Sequence, residues 1–322
     1  MNAPTSLSKM EAGPSGWGGH IKFGVFLVGA PRCGTTALSR VLKRNPQICF
    51  SSPKENHYFL LAPHHGPTLR VKRAYLQAYF PGLNETHRVI IDGSVTYLYS
   101  PESIRRILEV DRDARFIVMV RNPIDMVHSY HARLLYTMDE DEKDFERAWR
   151  MQSTRKRGEN IPRGCRDPRL LQYKSAASLG TQLEQLFEIA GRKCCHVIVF
   201  DDFVNDPLRV YKTLLEFIEV DYDGQTSFKP KNSNRTYRSS FLQRIIMSPP
   251  AFVIRAIVKW QLNGKSRLSF MRRFRLRLKK TNVIIVKRPP LSPELRRELK
   301  AELEPEVRKL SALLNRPFGQ WT

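Results

Sequence analysis

The chain has 322 residues, of which 41% are hydrophobic and 10% aromatic, and it carries a formal net charge of +23 at pH 7. Such a composition excludes a chain that is disordered throughout, and the length suffices for one large α/β domain or two small ones. The strong positive charge indicates an anionic partner such as nucleic acid, a membrane surface, an acidic glycan or a phosphorylated nucleotide.

Residues 1–20 are rich in Gly, Pro and Ser, and we predict a disordered tail there, followed by a single domain over residues 21–322. No apolar stretch has the length of a membrane span, and the amino terminus has no apolar signal core. The five cysteines are an odd number without metal-ligand spacing. These features predict a cytoplasmic chain, with a peripheral membrane contact left open.

The first predicted strand is the apolar run Val25–Val28, and an amphipathic spacing after residue 36 predicts a helix. Gly29, Pro31 and Gly34 lie between them and break the strand. A strand that leads through a glycine turn into a helix presents free backbone N–H groups at the helix start, where an anion such as a phosphate binds. An ordinary strand–helix turn is the alternative.

The spacing Gly29-x4-Gly34 matches the first half of a nucleotide-binding P-loop, but the second half departs from it. A nucleoside triphosphatase has Lys and then Ser or Thr after the second glycine, to hold phosphates and Mg²⁺. This chain has Thr35 and Thr36 there, and its cation, Arg32, lies inside the loop. The loop therefore predicts a site for a phosphate-like group without the usual Lys and Mg²⁺.

The segment Pro31–Thr36 (Pro-Arg-Cys-Gly-Thr-Thr) resembles the 5′-phosphosulfate loop of sulfotransferases that use 3′-phosphoadenosine 5′-phosphosulfate (PAPS). The resemblance implies that PAPS is the donor and that five loop residues bind it, namely Arg32, Cys33, Gly34, Thr35 and Thr36. Many members of the family have Lys where this chain has Arg32. Because the exchange keeps the positive charge but loses a proton donor, it favours binding over acid catalysis for Arg32.

A short second strand, Ile48–Phe50, leads into a connection that contains Lys54 and Glu55. In open α/β sheets the loops at the carboxyl ends of the strands form the ligand site, so this connection is expected beside the phosphate loop. It is similar to a Lys-Glu-x-x-x-Phe segment of carbohydrate sulfotransferases, the heparan-sulfate enzymes among them, with Phe59 at the last position. The similarity implies that Glu55 is the catalytic base and that Lys54 and Arg32 are catalytic cations. A surface ion pair is the alternative.

The predicted strand Phe116–Val120 ends at Arg121, and Ser129 follows eight residues later on a predicted helix. This segment resembles the family's 3′-phosphate-binding segment, which implies a charged contact from Arg121 and a hydroxyl contact from Ser129. A later polar loop resembles one that folds over the nucleotide in bacterial members, and it contributes Arg238 together with Asn232. A salt bridge at the strand end is the alternative for Arg121.

Two further regions are basic. Residues 132–169 are predicted to form a helix and a long arginine-rich loop, which is either a lid or a solvated loop. Residues 245–280 mix apolar and basic side chains without an acidic residue. They are predicted either to contact a membrane surface or to pack as helices with a solvated basic face.

Five short apolar runs that alternate with helical patterns predict the α/β class. The expected architecture is a three-layer, P-loop-kinase-like fold with a central parallel sheet of about five strands. The third and fifth of these strands are predicted at Arg88–Ile91 and His196–Phe200.

The resemblance to PAPS-dependent sulfotransferases, of the carbohydrate type and like bacterial members, spans roughly residues 22–314 as ordered motifs. It implies transfer of a sulfuryl group from PAPS to a hydroxyl of a glycan or glycolipid, with 3′-phosphoadenosine 5′-phosphate as product and no metal. Nucleic acid is disfavoured as a partner. Two other functions stay open, namely a kinase-like phosphotransferase that uses ATP and a non-catalytic basic protein that binds membrane or nucleic acid.

Overall fold

The computed structural model describes residue 17 and residues 21–61, 68–228, 235–247, 277–278, 280–286 and 288–321. Contacts divide the chain into two compact units. The first unit comprises the residues up to 126, residues 178–231 and the residues from 303 onward, and the second comprises residues 127–177 and 232–302. The single domain over residues 21–322 stays a prediction.

The first unit contains a parallel sheet with the strand order β2-β3-β1-β4-β5. Its strands are β1 (Gly24–Gly29), β2 (Ile48–Phe50), β3 (Val89–Asp92), β4 (Arg115–Val120) and β5 (Cys195–Val199). Every residue of β1 and β3 is buried, which is typical of parallel strands covered on both faces. The register pairs Val25 with Ile91 on one side of β1 and Leu27 with Ile117 on the other. The predicted α/β fold with a five-stranded parallel sheet is thus confirmed.

Helices alternate with these strands along the chain. Numbered in chain order within the described residues, they are α1 (Thr35–Leu42), α2 (Tyr58–Leu61), α3 (Thr68–Tyr79), α4 (Pro101–Val110), α5 (Pro123–Thr137), α6 (Phe145–Arg150), α7 (Gln152–Lys156), α8 (Tyr173–Ala177), α9 (Leu179–Ala190), α10 (Phe200–Asn205), α11 (Pro207–Phe217), α12 (Ser240–Met247) and α13 (Pro293–Leu314). Because the strands are parallel, all five carboxyl ends lie at one edge of the sheet, and the connections that follow them converge there.

The predicted tail, residues 1–20, lies outside the described residues apart from Trp17. This indole is 2% exposed and donates from Nε1 to Asp111 Oδ2 at 2.5 Å. The backbone N–H of Gly24, at the start of β1, donates to the same oxygen at 2.6 Å. The Trp17 ring also packs against Phe26 and Tyr75 in the core of the first unit. The sequence pattern did not anticipate this contact.

In the second unit, the arginine-rich segment is largely tied down by acidic side chains. Arg155 is 1% exposed, and its guanidinium makes a bidentate contact with Glu140 at 2.6 and 2.7 Å. Arg166 pairs with Asp139 and Arg169 with Asp167. Arg155 and Arg166 therefore hold the segment against residues 139 and 140, whereas Arg169 pairs within the segment and stays 85% exposed, as in a solvated loop.

The second unit also contains a small antiparallel sheet of β6 (Arg235–Tyr237) and β7 (Val283–Ile285), which the sequence did not predict. In none of the described ranges is there a helix with the length and apolar character that crossing a membrane requires.

Candidate active site

The connection from β1 to α1 forms a cradle of backbone N–H groups. Gly34, the residue before α1, has a φ of 96°, and in the described chain no side chain caps this helix. The Gly34 carbonyl accepts from Ala37 and Leu38, whereas the N–H groups of Thr35 and Thr36 come too early in the helix to have a partner within it. These donors and the helix dipole favour an anion at this point.

Two loop residues contribute in different ways. The backbone of Arg32 is left-handed, with a φ of 65°, and its side chain is half-buried. Cys33 is fully buried, and this burial raises the pKa of its thiol to about 12, although the charges of Arg121 and Arg32 act in the opposite direction. A buried thiol of this kind is not a nucleophile, and the backbone N–H of Cys33 donates to the Ala30 carbonyl at 3.3 Å. Thr35 is buried and Thr36 is exposed at the helix start.

Phe200, the first residue after β5, contacts both the phosphate loop and the next cation. A methyl group added at Gly34 would lie 2.8 Å from the Phe200 ring, so only glycine fits at this point of the loop. The guanidinium of Arg121, directly after β4, stacks over the same ring at 4.7 Å. Arg121 also lies 3.6 Å from Asp125. The ends of β1, β4 and β5 thus assemble one positively charged corner.

Lys54 and Glu55 lie in the connection after β2, at the same edge of the sheet. The Lys54 ammonium contacts Glu55 Oε1 at 3.0 Å, with the Lys54 side chain 16% exposed and that of Glu55 40% exposed. The stem of Lys54 packs against Gly93, where an added methyl group would lie 2.8 Å from Lys54 Cγ. The two residues do form the ion pair that the sequence left as an alternative, and they form it beside the end of β3.

A buried hydrogen-bond network after β3 holds this connection. Ser94 Oγ accepts from the backbone N–H groups of Asn56 and His57, at 3.1 Å each, and donates to Asp92 Oδ1 at 2.6 Å. Asp92 Oδ2 accepts from the hydroxyls of Tyr75 and Tyr97. Burial raises the pKa of Asp92 despite these hydrogen bonds. The network fixes the backbone that follows Glu55.

Sequence reasoning missed His57, which lies two residues after Glu55. It has a φ of 55°, and its Nδ1 is 2.8 Å from Thr96 Oγ1. That contact orients the ring and leaves Nε2 as the nitrogen for a ligand. The signal available in the sequence was only a histidine near a carboxylate, because the partner Thr96 lies 39 residues away.

The other predicted donor contacts belong to the second unit. Ser129 lies on α5 and is 3% exposed. Arg238 is exposed and directly follows β6, where its backbone N–H donates to the Asn282 carbonyl at 2.8 Å. Asn232 lies outside the described residues. The described part of the chain holds no group of three His, Cys, Asp or Glu side chains that could bind a metal ion.

Comparison with protein families identifies the class of enzyme. The family model for the sulfotransferase domain matches residues 24–259, which is well over half of the chain. The chain therefore belongs to the sulfotransferase family, whose members transfer sulfuryl groups. Among curated protein sequences, none matches the chain significantly.

Solved structures of sulfotransferases are similar to this chain. A sulfotransferase from Alicyclobacillus acidocaldarius aligns over 93% of this chain and 98% of its own, with 22% identity and a TM-score of 0.63, which shows a shared fold. The sulfotransferase domain from the Curacin biosynthetic pathway aligns over 66% of this chain and 82% of its own, with 17% identity and a TM-score of 0.41. Mouse sulfotransferase SULT7A1, complexed with PAP, aligns over 62% and 59%, with 16% identity and a TM-score of 0.37.

Proposed function

We propose that this sulfotransferase takes its sulfuryl group from PAPS and transfers it to a hydroxyl of a carbohydrate, either a glycan or a glycolipid. One observation carries the proposal, namely that three chemically distinct parts follow three strands at the same sheet edge. The phosphate loop follows β1, the Lys54–Glu55 pair follows β2 and Arg121 follows β4. Donor cradle, candidate base and second anion site are thus supplied by separate elements of one scaffold.

At the donor end, the backbone N–H groups of the loop and the Arg32 side chain bind the 5′-phosphosulfate. As the sulfur–oxygen bond breaks, negative charge grows on the phosphate oxygen that leaves. Arg32 and Lys54 stabilise this charge in the transition state, the role that a metal ion plays in phosphoryl transfer. Arg121, Ser129 and Arg238 are proposed to bind the 3′-phosphate and so to fix the reacting geometry.

At the acceptor end, Glu55 is proposed as the general base. The acceptor hydroxyl attacks sulfur, its proton moves to the Glu55 carboxylate, and the electron pair of the broken bond stays on the phosphate of the leaving nucleotide. The contact with Lys54 holds the Glu55 carboxylate near the cation that the donor also needs. When PAPS binds, Lys54 is expected to turn toward its phosphate, which releases the carboxylate for the proton.

The test is transfer of radiolabelled sulfur from PAPS to a panel of sugars and glycolipids, with ATP as a parallel donor. Glu55→Gln is expected to lower turnover about 100-fold or more while PAPS affinity is retained, since general bases contribute about that much. Glu102→Gln is a matched control, because Glu102 also pairs with a cation at 3.0 Å but lies on α4. Full activity of Glu55→Gln would remove the base assignment, and phosphoryl transfer from ATP would replace the proposed reaction.

His57 is the alternative base, because its Nδ1 is engaged by Thr96 and its ring lies on the same connection. The variant His57→Asn separates the two assignments. If Glu55 is the base, His57→Asn keeps most of the turnover. If His57 is the base, turnover collapses in His57→Asn and survives in Glu55→Gln.

A further inference from the structure

The sequence from residue 224 to residue 293 contains no Asp or Glu and 17 Lys and Arg residues. This stretch therefore carries +17 of the net charge of +23. The described cations of this stretch all lie in the second unit, on α12, on or beside the β6–β7 sheet and in the short stretch before β7. Positive charge of this density in one part of a chain, with no acid to neutralise it, indicates an anionic partner outside the chain.

The same part of the second unit exposes apolar side chains. Four of them are well exposed, namely Phe241 (75%), Ile245 (37%), Ile285 (73%) and Val286 (43%). On α12, Phe241, Arg244 and Ile245 stand three and four residues apart and form one exposed helical face, while Gln243 and Ile246 of the opposite face are buried. We name these four apolar residues and the exposed cations Arg244, Arg277 and Lys280 the basic–apolar surface.

Buried hydrogen bonds hold in place the elements that carry this surface. The Asn282 side chain donates to the Ser239 carbonyl and to Gln243 Oε1, at 3.1 Å each, and accepts from the Ser239 backbone at 2.9 Å. Gln243 in turn donates to the Tyr136 carbonyl at 2.7 Å and is fully buried. The start of α12 and the strand β7 are thus joined through buried amide groups. Phe241 and Ile285 are therefore exposed on elements that buried hydrogen bonds hold in place.

We propose that the basic–apolar surface docks the enzyme on an anionic lipid bilayer. Transfer of exposed aliphatic side chains from water into the acyl boundary of a membrane lowers the free energy, and the cations around them are attracted to anionic headgroups. The 29 residues 248–276, which connect α12 to Arg277, have the same composition, with 14 apolar residues, seven cations and no acid.

Nucleic acid and acidic glycans fit the surface less well. Non-specific binding of single strands relies on aromatic side chains on which bases stack, whereas three of the four exposed apolar residues are aliphatic. An acidic glycan would satisfy the cations but would leave Ile285 and Val286 in water. A bilayer satisfies both the charge and the apolar area. This proposal does not depend on the donor or the acceptor of the reaction.

The experiment is sedimentation of the full chain with vesicles of phosphatidylcholine and phosphatidylglycerol in equal parts, compared with phosphatidylcholine alone. We expect binding to the anionic vesicles, weaker binding in high salt and little binding to the neutral ones. The double variant Phe241→Gln/Ile285→Thr is expected to lower the partition coefficient at least roughly tenfold, because two large apolar side chains no longer enter the bilayer. Arg244→Gln is expected to lower it about fivefold.

Matched control variants distinguish vesicle binding through this surface from non-specific adsorption of the protein. Val204→Thr replaces an apolar side chain that is 53% exposed on α10. Arg209→Gln removes an exposed positive charge on α11. Both controls are expected to bind vesicles like the unchanged protein. No binding to anionic vesicles overturns the proposal. Equal loss in the controls and in the surface variants also overturns it, and so does binding to a single-stranded oligonucleotide that falls with the same variants while vesicle binding does not.

Discussion

Arg32 carries the positive charge of the phosphate loop, and its backbone has the unfavourable left-handed conformation. A non-glycine residue in the left-handed region is destabilised by about 1–2 kcal/mol, and glycine relieves this but gains about 0.5–1 kcal/mol of freedom in the unfolded chain. We therefore expect Arg32→Gly to keep its free energy of unfolding within about 1 kcal/mol of the unchanged protein. Its affinity for PAPS should fall by a factor of about 30 or more, since a charged contact to the phosphosulfate is lost.

Urea unfolding and calorimetric titration with PAPS measure the two quantities separately. Arg40→Gln is the control, because Arg40 is exposed on α1 outside the loop. A variant that unfolds easily yet binds PAPS normally would make Arg32 a structural residue.

Ser94 is a second residue whose importance follows from its contacts. Ser94→Ala leaves the backbone N–H groups of Asn56 and His57 without their acceptor, which is expected to destabilise the protein by about 2 kcal/mol. The connection that carries Glu55 then loses its fixed position, so turnover should fall about tenfold or more while PAPS affinity stays the same.

The control for Ser94 is Ser103→Ala. Ser103 is equally buried, but its hydroxyl only contacts Ser100 at the start of α4. Equal turnover in both variants would show that the Ser94 contacts do not position the base.

The residues of the phosphate loop could be found from the sequence because their signal is local. Two glycines, an arginine and two threonines lie within eight positions, and the strand and helix around them have clear patterns. Ser94 and His57 could not be found in this way. Ser94 acts through backbone groups 37 and 38 residues away, and no periodicity encodes such a contact.

At the scale of elements, the position of Arg121 directly after β4 leads to a prediction about how the enzyme selects its donor. PAPS differs from adenosine phosphosulfate only in its 3′-phosphate, and Arg121 is proposed to contact that phosphate. Arg121→Ala should weaken PAPS binding by tens to several hundred fold and adenosine phosphosulfate binding much less, because a desolvated charge contact contributes about 2–4 kcal/mol.

Arg32→Ala serves as the comparison for Arg121, since both donors carry the phosphosulfate that Arg32 is proposed to bind. It should therefore weaken both donors alike. If Arg121→Ala lowers both affinities by one factor, its stacking on Phe200 is a structural contact and the 3′-phosphate binds elsewhere.

The elements themselves were predictable where packing follows periodicity. The five strands of the central sheet appear within one residue of their predicted positions, because each consists mainly of apolar residues and two of them, β1 and β3, are buried at every position. The strands β6 and β7 were missed, since each has three residues and they pair across about 45 positions of sequence. Most arginines between residues 155 and 169 are exposed, as the solvated-loop alternative predicted. The buried pair of Arg155 with Glu140 could not be predicted, because Glu140 precedes that segment and no periodicity links the two residues.

At the scale of the whole molecule, acidic pH should lower the free energy of unfolding, because it protonates a buried carboxylate of the second unit. Burial on its own would raise the pKa of Glu140, but hydrogen bonds from Arg155 and Tyr173 outweigh it and hold the pKa below the usual 4.5. A carboxylate with a depressed pKa stabilises the folded state above its unfolded pKa and loses that contribution as the pH falls through the folded pKa. Glu140→Gln should therefore be less stable by about 3 kcal/mol at neutral pH, because it leaves Arg155 buried without its partner.

The difference between Glu140→Gln and the unchanged protein should shrink as the pH falls below about 4.5, because the unfolded carboxylate binds its proton first and the native carboxylate follows only at its lower folded pKa. Urea unfolding at several pH values measures it. Tyr173→Phe is a milder variant that removes one hydrogen bond to the same carboxylate and should lower stability by about 1 kcal/mol. A difference that is constant with pH would mean that Glu140 is already protonated in the native state.

The order of strands also has a consequence for protein engineering. β2 is an edge strand, and β3 separates it from β1 and the phosphate loop. The connection after β2 is joined to the sheet through the Ser94 hydroxyl and through buried side chains such as Phe59, which packs on Phe26. Exchanging residues 51–61 as one unit between relatives that keep Ser94 and these buried side chains should therefore transfer acceptor preference, while the recipient keeps its own donor chemistry.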